Sequence, residues 1–294
     1  MRIVYIGSVE FSREVLKKLF LLKADVAGVL TPKRSRFNSD FADLSAVCRQ
    51  HRIPCRHVKD INDERNLSWI RDKRPDIIFC FGFSQLLKAP LLSIPSRGVI
   101  GFHPARLPRN RGRHPLIWAL ALGMKKTAST FFFIGNGVDN GAILSQKDIR
   151  IAYHDDARTL YRKVTDTALR QVEVFLPRLE RGMSTGIPQD DAKANYWRKR
   201  TAADGRIDFR MASRAIYNLV RALARPYPGA SAVYNGEEAK VWRVVEKKCA
   251  IENAEPGKVL SVSGRRILVK CHDGAVLLTE HGFTALPRRG EYLS

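Results

Sequence analysis

An α/β protein is predicted by three observations. Short apolar strands alternate with helical stretches through the first half of the chain. A break rich in Gly, Pro, Asp, Lys and Thr follows near residue 190. Beyond it lies a series of short strands separated by turn signals. The alternation predicts a Rossmann-like parallel sheet with helices on both faces, and the later strands predict a smaller OB-like β-barrel as a C-terminal domain. The expected boundaries are 1–182 for the first domain, 183–205 for a linker and 206–294 for the second. A chain of 294 residues is long for one hydrophobic core, which agrees with two domains.

The elements follow in order. Residues 2–6 are apolar and β-branched, and Gly7-Ser8 breaks the run. Residues 11–22 place Phe11, Val15, Leu16, Leu19, Phe20 and Leu22 near helical spacing. A second strand at 26–30 ends at Thr31-Pro32. Residues 40–52 read as a helix, 53–58 as a weak strand, and 63–73 as a helix stopped by Pro75. Buried strands are expected at 76–81, 98–102 and 130–134. A long helix over 155–181 has Asp155 or Asp156 as N-cap and Pro177 near its last turn. Another helix over 211–224 is closed by Arg225-Pro226-Tyr227-Pro228-Gly229. Strands at 232–234, 239–245, 257–263, 266–271 and 275–279 are joined by turns at Asn235-Gly236, Gly264 and Asp273-Gly274.

Composition excludes some classes. No run of about 18 apolar residues exists, so no membrane span is expected. The N-terminus enters a strand pattern directly, without a signal peptide's n- and h-regions. Five cysteines (48, 55, 80, 249, 271) show no C-x-x-C spacing, which fits reduced thiols and a cytoplasmic setting. The seven histidines are scattered, and no metal site is expected. The first turn, Gly7-Ser8-Val9-Glu10-Phe11-Ser12, has one glycine where a dinucleotide fingerprint needs three, which disfavours an NAD enzyme. A formal charge of +22 attracts polyanions such as RNA, nucleotide-linked substrates or polyglutamylated cofactors. The basic residues are spread along the chain rather than gathered in a tail.

The chemistry concentrates between Gly98 and Leu144. Two expected strands each end in a turn bearing a proton-handling side chain, His103 in the first and Asp139 in the second. In a doubly wound sheet, sites form at the carboxyl ends of strands, so both side chains are expected in one crevice. A carboxylate beside an imidazole fixes its tautomer and supports its charged form. The alternative for both is a turn residue capping local backbone. His114 reads either as a third site residue or as a helix-start residue before Pro115.

The segment H-P-A-R-L-P-R-N-R-G-R-H-P and the later G-V-D-N-G-A-I-L resemble the folate-dependent formyltransferases, whose motif is N-x-H-x-S-L-L-P-x-x-R-G followed by L-D-x-G. The opening I-G-S-V-E-F-S, the segment P-D-I-I-F-C-F-G-F-S-Q-L-L, and Y-W-R-K-R-T-A-A-D-G-R-I-D-F with A-R-P-Y-P-G-A extend the resemblance over nearly the whole chain. It implies N10-formyltetrahydrofolate as co-substrate, no metal, and attack of a primary amine on the formyl carbon through a tetrahedral intermediate. In the family an Asn holds the oxyanion, the His assists proton transfer and the Asp orients the His. His103 and Asp139 match, whereas Gly101 stands at the Asn position. Losing one oxyanion donor costs about 10²- to 10³-fold in rate. Asn136 or Asn140 beside Asp139, a backbone N–H, water or His103 itself are the candidate replacements. The resemblance further implies a folate pocket around Phe81, Gly82, Phe83, Leu86, Leu87 and Asp139. Ser8, Phe11, Arg113, Tyr196, Trp197 and Arg198 are its expected substrate contacts.

Two branches of the family differ in acceptor. The short loop over 32–40, the V-D-N-G-A motif and the R-N-R-G-R-H-P segment are closer to formylases acting on nucleotide-linked amino sugars. The charge favours methionyl-tRNA instead. Arg106, Arg109, Arg111 and Arg113 are expected either at a diphosphate or on a solvated surface. A third reading is a formylase-like fold kept as an RNA-binding protein without turnover.

Overall fold

The computed structural model describes residues 1–34, 39–183, 185–251 and 253–294. The chain divides into two compact units. One comprises Met1–Gly112, Thr127–Ile149 and Arg162–Tyr196, and the other Arg113–Lys126, Arg150–Tyr161 and Trp197–Ser294. This differs from a single cut at 182 followed by a linker. Residues up to Tyr196 cluster with the first unit, and two earlier excursions cluster with the second.

The first unit is built on a seven-stranded sheet. Its strands are β1 (Ile3–Gly7), β2 (Val26–Thr31), β3 (Cys55–His57), β4 (Ile77–Phe81), β5 (Val99–His103), β6 (Lys126–Phe133) and β7 (Ile143–Arg150). They lie in the order β3-β2-β1-β4-β5-β6-β7. The first five run parallel. Each joins the next through a helix: α1 (Glu10–Leu21), α2 (Ser45–Gln50), α3 (Glu64–Asp72) and α4 (Ala89–Leu92). β1 and β4 are buried along their whole length, as central strands covered on both faces must be. The helix expected over 40–52 is confined to Ser45–Gln50. Asp43 accepts the Ser45 N–H at 2.9 Å and its hydroxyl at 3.0 Å, which starts the helix there.

The sheet is mixed rather than wholly parallel. β6 runs antiparallel to β5, with Gly101 opposite Phe132 and His103 opposite Thr130. β7, unforeseen in the sequence, forms the edge beyond it. Helix α6 (Ala157–Glu180) starts with a reciprocal cap: Asp156 Oδ1 accepts the Thr159 N–H at 2.8 Å, and Thr159 Oγ1 accepts the Asp156 N–H at 2.9 Å.

The second unit holds a five-stranded antiparallel sheet. Its strands β8 (Ala230–Tyr234), β9 (Glu237–Lys247), β10 (Val259–Ser263), β11 (Arg266–Lys270) and β12 (Ala275–His281) lie in the order β8-β9-β12-β11-β10. The edges β8 and β10 are bridged by the last residues. Ser294 exchanges backbone hydrogen bonds with Val233 at 2.5 and 3.0 Å, and Glu291 O accepts the Val259 N–H at 2.8 Å. The barrel-like closure thus comes from residues 291–294 rather than from direct pairing of edge strands. Helix α7 (Ser213–Ala222) packs on α5 (Pro115–Ala121). The buried Arg221 donates to the carbonyls of Ala152, Tyr153 and Asp155 at 3.1, 2.9 and 2.9 Å, which binds the 150–161 excursion to this unit.

Among the described residues no helix is long and apolar enough to cross a membrane, and no group of three or more His, Cys, Asp or Glu side chains is placed to hold a metal ion.

Candidate active site

His103 is the last residue of β5 and only 5% exposed. The loop that follows it is pinned to β6 and β7. Thr127 Oγ1 donates to Pro104 O at 3.0 Å, Thr130 Oγ1 to Ala105 O at 2.7 Å, and Gln146 Nε2 to Leu107 O at 3.0 Å. These bonds fold residues 104–110 back over the imidazole. Its Nε2 therefore lies 2.7 Å from the Asn110 carbonyl oxygen, and its Nδ1 lies 3.5 Å from Asp139 Oδ2. A carbonyl only accepts, so Nε2 carries a proton and donates.

Asp139 reaches His103 by a route other than the expected one. Because β6 is antiparallel, its carboxyl end lies beside the start of β5, with Phe133 opposite Ile100. Residues 134–142 must turn back along the sheet to bring the carboxylate to the imidazole. Asp139 adopts a left-handed φ of 50°, and its Oδ2 also accepts the Gly112 N–H at 2.9 Å. Its side chain is 20% exposed against 6% for His103, so the carboxylate is the more open of the two.

At Gly101 the wall beside His103 is apolar. A Cβ there would meet Ile134 Cγ1 at 2.9 Å and Phe132 Cζ at 3.0 Å. The space an amide side chain would need is filled by Phe132 and Ile134. Asn136 and Asn140 are both exposed.

The other expected site residues divide by burial. Phe81 is fully buried in an aromatic cluster, 5.7 Å from Tyr5 and 5.3 Å from Phe131 by ring centroids. Phe11 is 5% exposed and stacks on Phe102 at 4.2 Å. Ser8 is 2% exposed and donates its hydroxyl to Gly82 O at 2.6 Å. Leu87 belongs to the core beside β4. These four side chains pack the interior. Leu86 is exposed, and the half-buried Phe83 packs against the same core.

Gly82 has φ +58°, and a Cβ there would lie 2.2 Å from Val9 Cγ2. Gly82→Ala is therefore expected to lower stability by about 1–3 kcal/mol through backbone strain and overpacking. A thermal melt checks this, and an unchanged melting temperature would refute the steric argument.

Arg111 departs most from expectation. It is 1% exposed, not a solvated charge or a free phosphate ligand. It donates to Gln189 Oε1 at 2.8 and 3.2 Å, to Asp191 Oδ1 at 2.7 Å and to the Tyr196 hydroxyl at 2.8 Å. Tyr196, expected at substrate, is thereby tied to Arg111, although its ring is 59% exposed. Arg106 pairs with Asp148, and Arg109 is exposed.

In the second unit, Arg113 is exposed and its N–H donates to Trp197 O at 3.0 Å. Arg198 forms a two-bonded pair with Asp204 and lies over Trp118, with Arg200 4.6 Å from the same ring. His114 takes the helix-start role. It has φ 56° and precedes Pro115 at the N-cap of α5. Burial, and then the Arg113, Arg200 and Lys199 cations, push its imidazole below the ordinary value of 6.5. The unfolded chain binds the proton more readily, so this stability is present above pH 6.5 and is lost as pH falls below it. His114→Gln should flatten the fall of melting temperature between about pH 7 and about pH 5. Parallel profiles for wild type and variant would exclude this role.

Fold and side chains define the class: a two-part α/β protein in which an imidazole at the end of a core strand meets a carboxylate on a neighbouring loop. The chain belongs to the formyl transferase family. The formyl transferase part of the family matches residues 1–173, and the formyl transferase C-terminal domain matches residues 199–285. HypX from Aquifex aeolicus, solved with tetrahydrofolic acid, superposes with a TM-score of 0.69 at 18% identity over 96% of this chain and 44% of its own. The chain thus spans less than half the length of HypX. An N-formyltransferase from Helicobacter canadensis, in complex with folinic acid and dTDP-3-aminofucose, gives 0.72 at 16% identity over 95% of this chain and 99% of its own. Methionyl-tRNA formyltransferase from Clostridium thermocellum gives 0.61 at 16% identity, with the same coverage. At these identities the likeness is one of fold.

Proposed function

We propose that this protein transfers the formyl group of N10-formyltetrahydrofolate to the amine of a nucleotide-linked amino sugar. The observation that carries the reading is the His103–Asp139 pair, 3.5 Å apart in a chain of this family. The donor supplies an activated formyl carbon. Exposed Leu86, half-buried Phe83 and the Gly82 turn are the residues suited to hold its ring system.

Asp139 Oδ2 is held by the Gly112 N–H and faces His103, so Oδ1 is the oxygen that takes the proton of the attacking amine. His103 Nε2–H is occupied by the Asn110 carbonyl. Turnover therefore requires that peptide to move off the ring, after which Nε2–H donates to the developing oxyanion. As the intermediate collapses, the bond from the formyl carbon to N10 breaks, Asp139 returns the amine proton to the departing N10, and tetrahydrofolate leaves. This donor replaces the amide for which the Gly101 wall has no room.

The acceptor class rests on the V-D-N-G-A and R-G-R-H-P segments and on the short loop after β2, of which residues 35–38 lie outside the described residues. Solved relatives bind dTDP-3-aminofucose or carry the name of a tRNA formylase, so both acceptors belong in the test. The +22 charge favours methionyl-tRNA as the second reading. Purified protein with N10-formyltetrahydrofolate is offered aminosugar nucleotides or methionyl-tRNA, and tetrahydrofolate release is followed. Release with an aminosugar nucleotide is expected. Release with methionyl-tRNA alone transfers the assignment to the second reading. Salt-sensitive RNA binding without release would support a non-enzymatic role.

A further inference from the structure

We infer that Gln189, oriented by the buried Arg111, is the positioning residue that sets Asp139 against His103. The Gly112 N–H of the motif holds the carboxylate, but nothing in the motif holds the backbone of the loop that leaves the far end of β6. The bonds around Gln189 do. Its Nε2 donates to the carbonyls of Asp139 and Gly141 at 2.8 and 2.7 Å, and its Oε1 accepts from two nitrogens of Arg111. The orientation of this amide is unambiguous. A guanidinium has only donors, so Oε1 must face it and the NH₂ must face the two carbonyls.

Asp139 is thereby held at two points. Gln189 fixes its peptide, and Gly112 N–H fixes its carboxylate at 2.9 Å. Gly112 directly follows Arg111, so both points are anchored on one short stretch of chain. Asp139 takes a left-handed φ of 50°, which L residues adopt only occasionally, and these external bonds hold it there. Arg111 is a costly group to bury, and the carboxylate it meets, Asp191, is 76% exposed. An apolar residue would fill that space with less desolvation. What the guanidinium adds is a rigid fork that holds one amide in one orientation.

The kinetic arm of the test rests on the proposed formyl transfer, and the spectroscopic arm does not. Gln189→Leu keeps the volume near that of glutamine and removes both bonding ends. It should lower kcat by about 10- to 100-fold through a misplaced carboxylate, with the folate KM changed by no more than about twofold. In an Asp139→Asn background the same change should lower kcat by less than about twofold, since coupled residues are not additive. Gln189→Glu keeps the bond to Arg111 but places an acceptor against two carbonyls, so it should behave like the leucine variant.

The second readout is the nitrogen chemical shift of the His103 ring by NMR at one fixed pH. Asp139→Asn should move the Nδ1 signal, because Asp139 Oδ2 faces that atom at 3.5 Å, and Gln189→Leu should reproduce at least part of that displacement in the same direction. Equal kcat losses in both backgrounds, or an Nδ1 signal that Gln189→Leu leaves at the wild-type position, would overturn the inference. Should wild type transfer formyl to no acceptor, the proposed function fails, while the ring-nitrogen signals still decide whether Gln189 positions Asp139.

Discussion

An Asp139→Asn variant is expected to lose about 10²- to 10⁴-fold in kcat for the proposed formyl transfer while retaining its melting temperature. The side chains have the same shape, and an amide oxygen still accepts the Gly112 N–H that Asp139 Oδ2 accepts at 2.9 Å. What disappears is the carboxylate proposed to take the amine proton, and with it the charge beside His103 Nδ1. His103→Gln should fall in the same range, because the more flexible glutamine amide offers the developing oxyanion a donor less fixed in place than the ring Nε2–H. The measurement is tetrahydrofolate release at saturating acceptor, beside a thermal melt of each variant. Near-wild-type turnover in Asp139→Asn would place the chemistry elsewhere.

Gly101→Asn, which restores the residue that resemblance puts beside the histidine, makes the protein worse rather than better. Its Cβ alone would sit 2.9 Å from Ile134 Cγ1 and 3.0 Å from Phe132 Cζ, before any amide is placed. Overpacking of this kind costs about 1–3 kcal/mol. Gly101→Ala should already show part of that loss, and asparagine should show more, with kcat at or below wild type in both. A fully stable Gly101→Asn with faster turnover would mean that the apolar wall yields and that the site lacks only a donor.

Much of the fold was legible because the signals were local. β1, β4 and the five strands of the second sheet were readable from β-branched runs and turn dipeptides, and α1 from its apolar spacing. Strand direction is not local. The pattern of residues 126–133 is the same whichever way the strand runs, so the reversal at β6 and the edge strand β7 went unread. The surrounding motifs point to His103 and Asp139, but two parallel strand ends cannot bring them together in a mixed sheet.

Phe11 was readable as core, since it sits on the buried stripe of its own helix. The resemblance drew it toward the substrate instead. Arg111 and Gln189 had no such signal. One lies among surface-like arginines, and the other lies in a stretch whose Gly, Pro and Asp content suggests a linker. Their partnership is separated in sequence and appears only once the chain is folded.

The same separation has a kinetic side. The His–Asp pair is assembled from segments around 103–112, 139–141 and 189–196, and only the first ends a core strand. Closing the third segment onto the others carries the entropy of a long loop with little apolar burial in return. The exposed third segment is therefore expected to open before the buried sheet does. Amide exchange at Arg111 and Gly112 should run faster than at Ile78 or Phe79 in the buried β4.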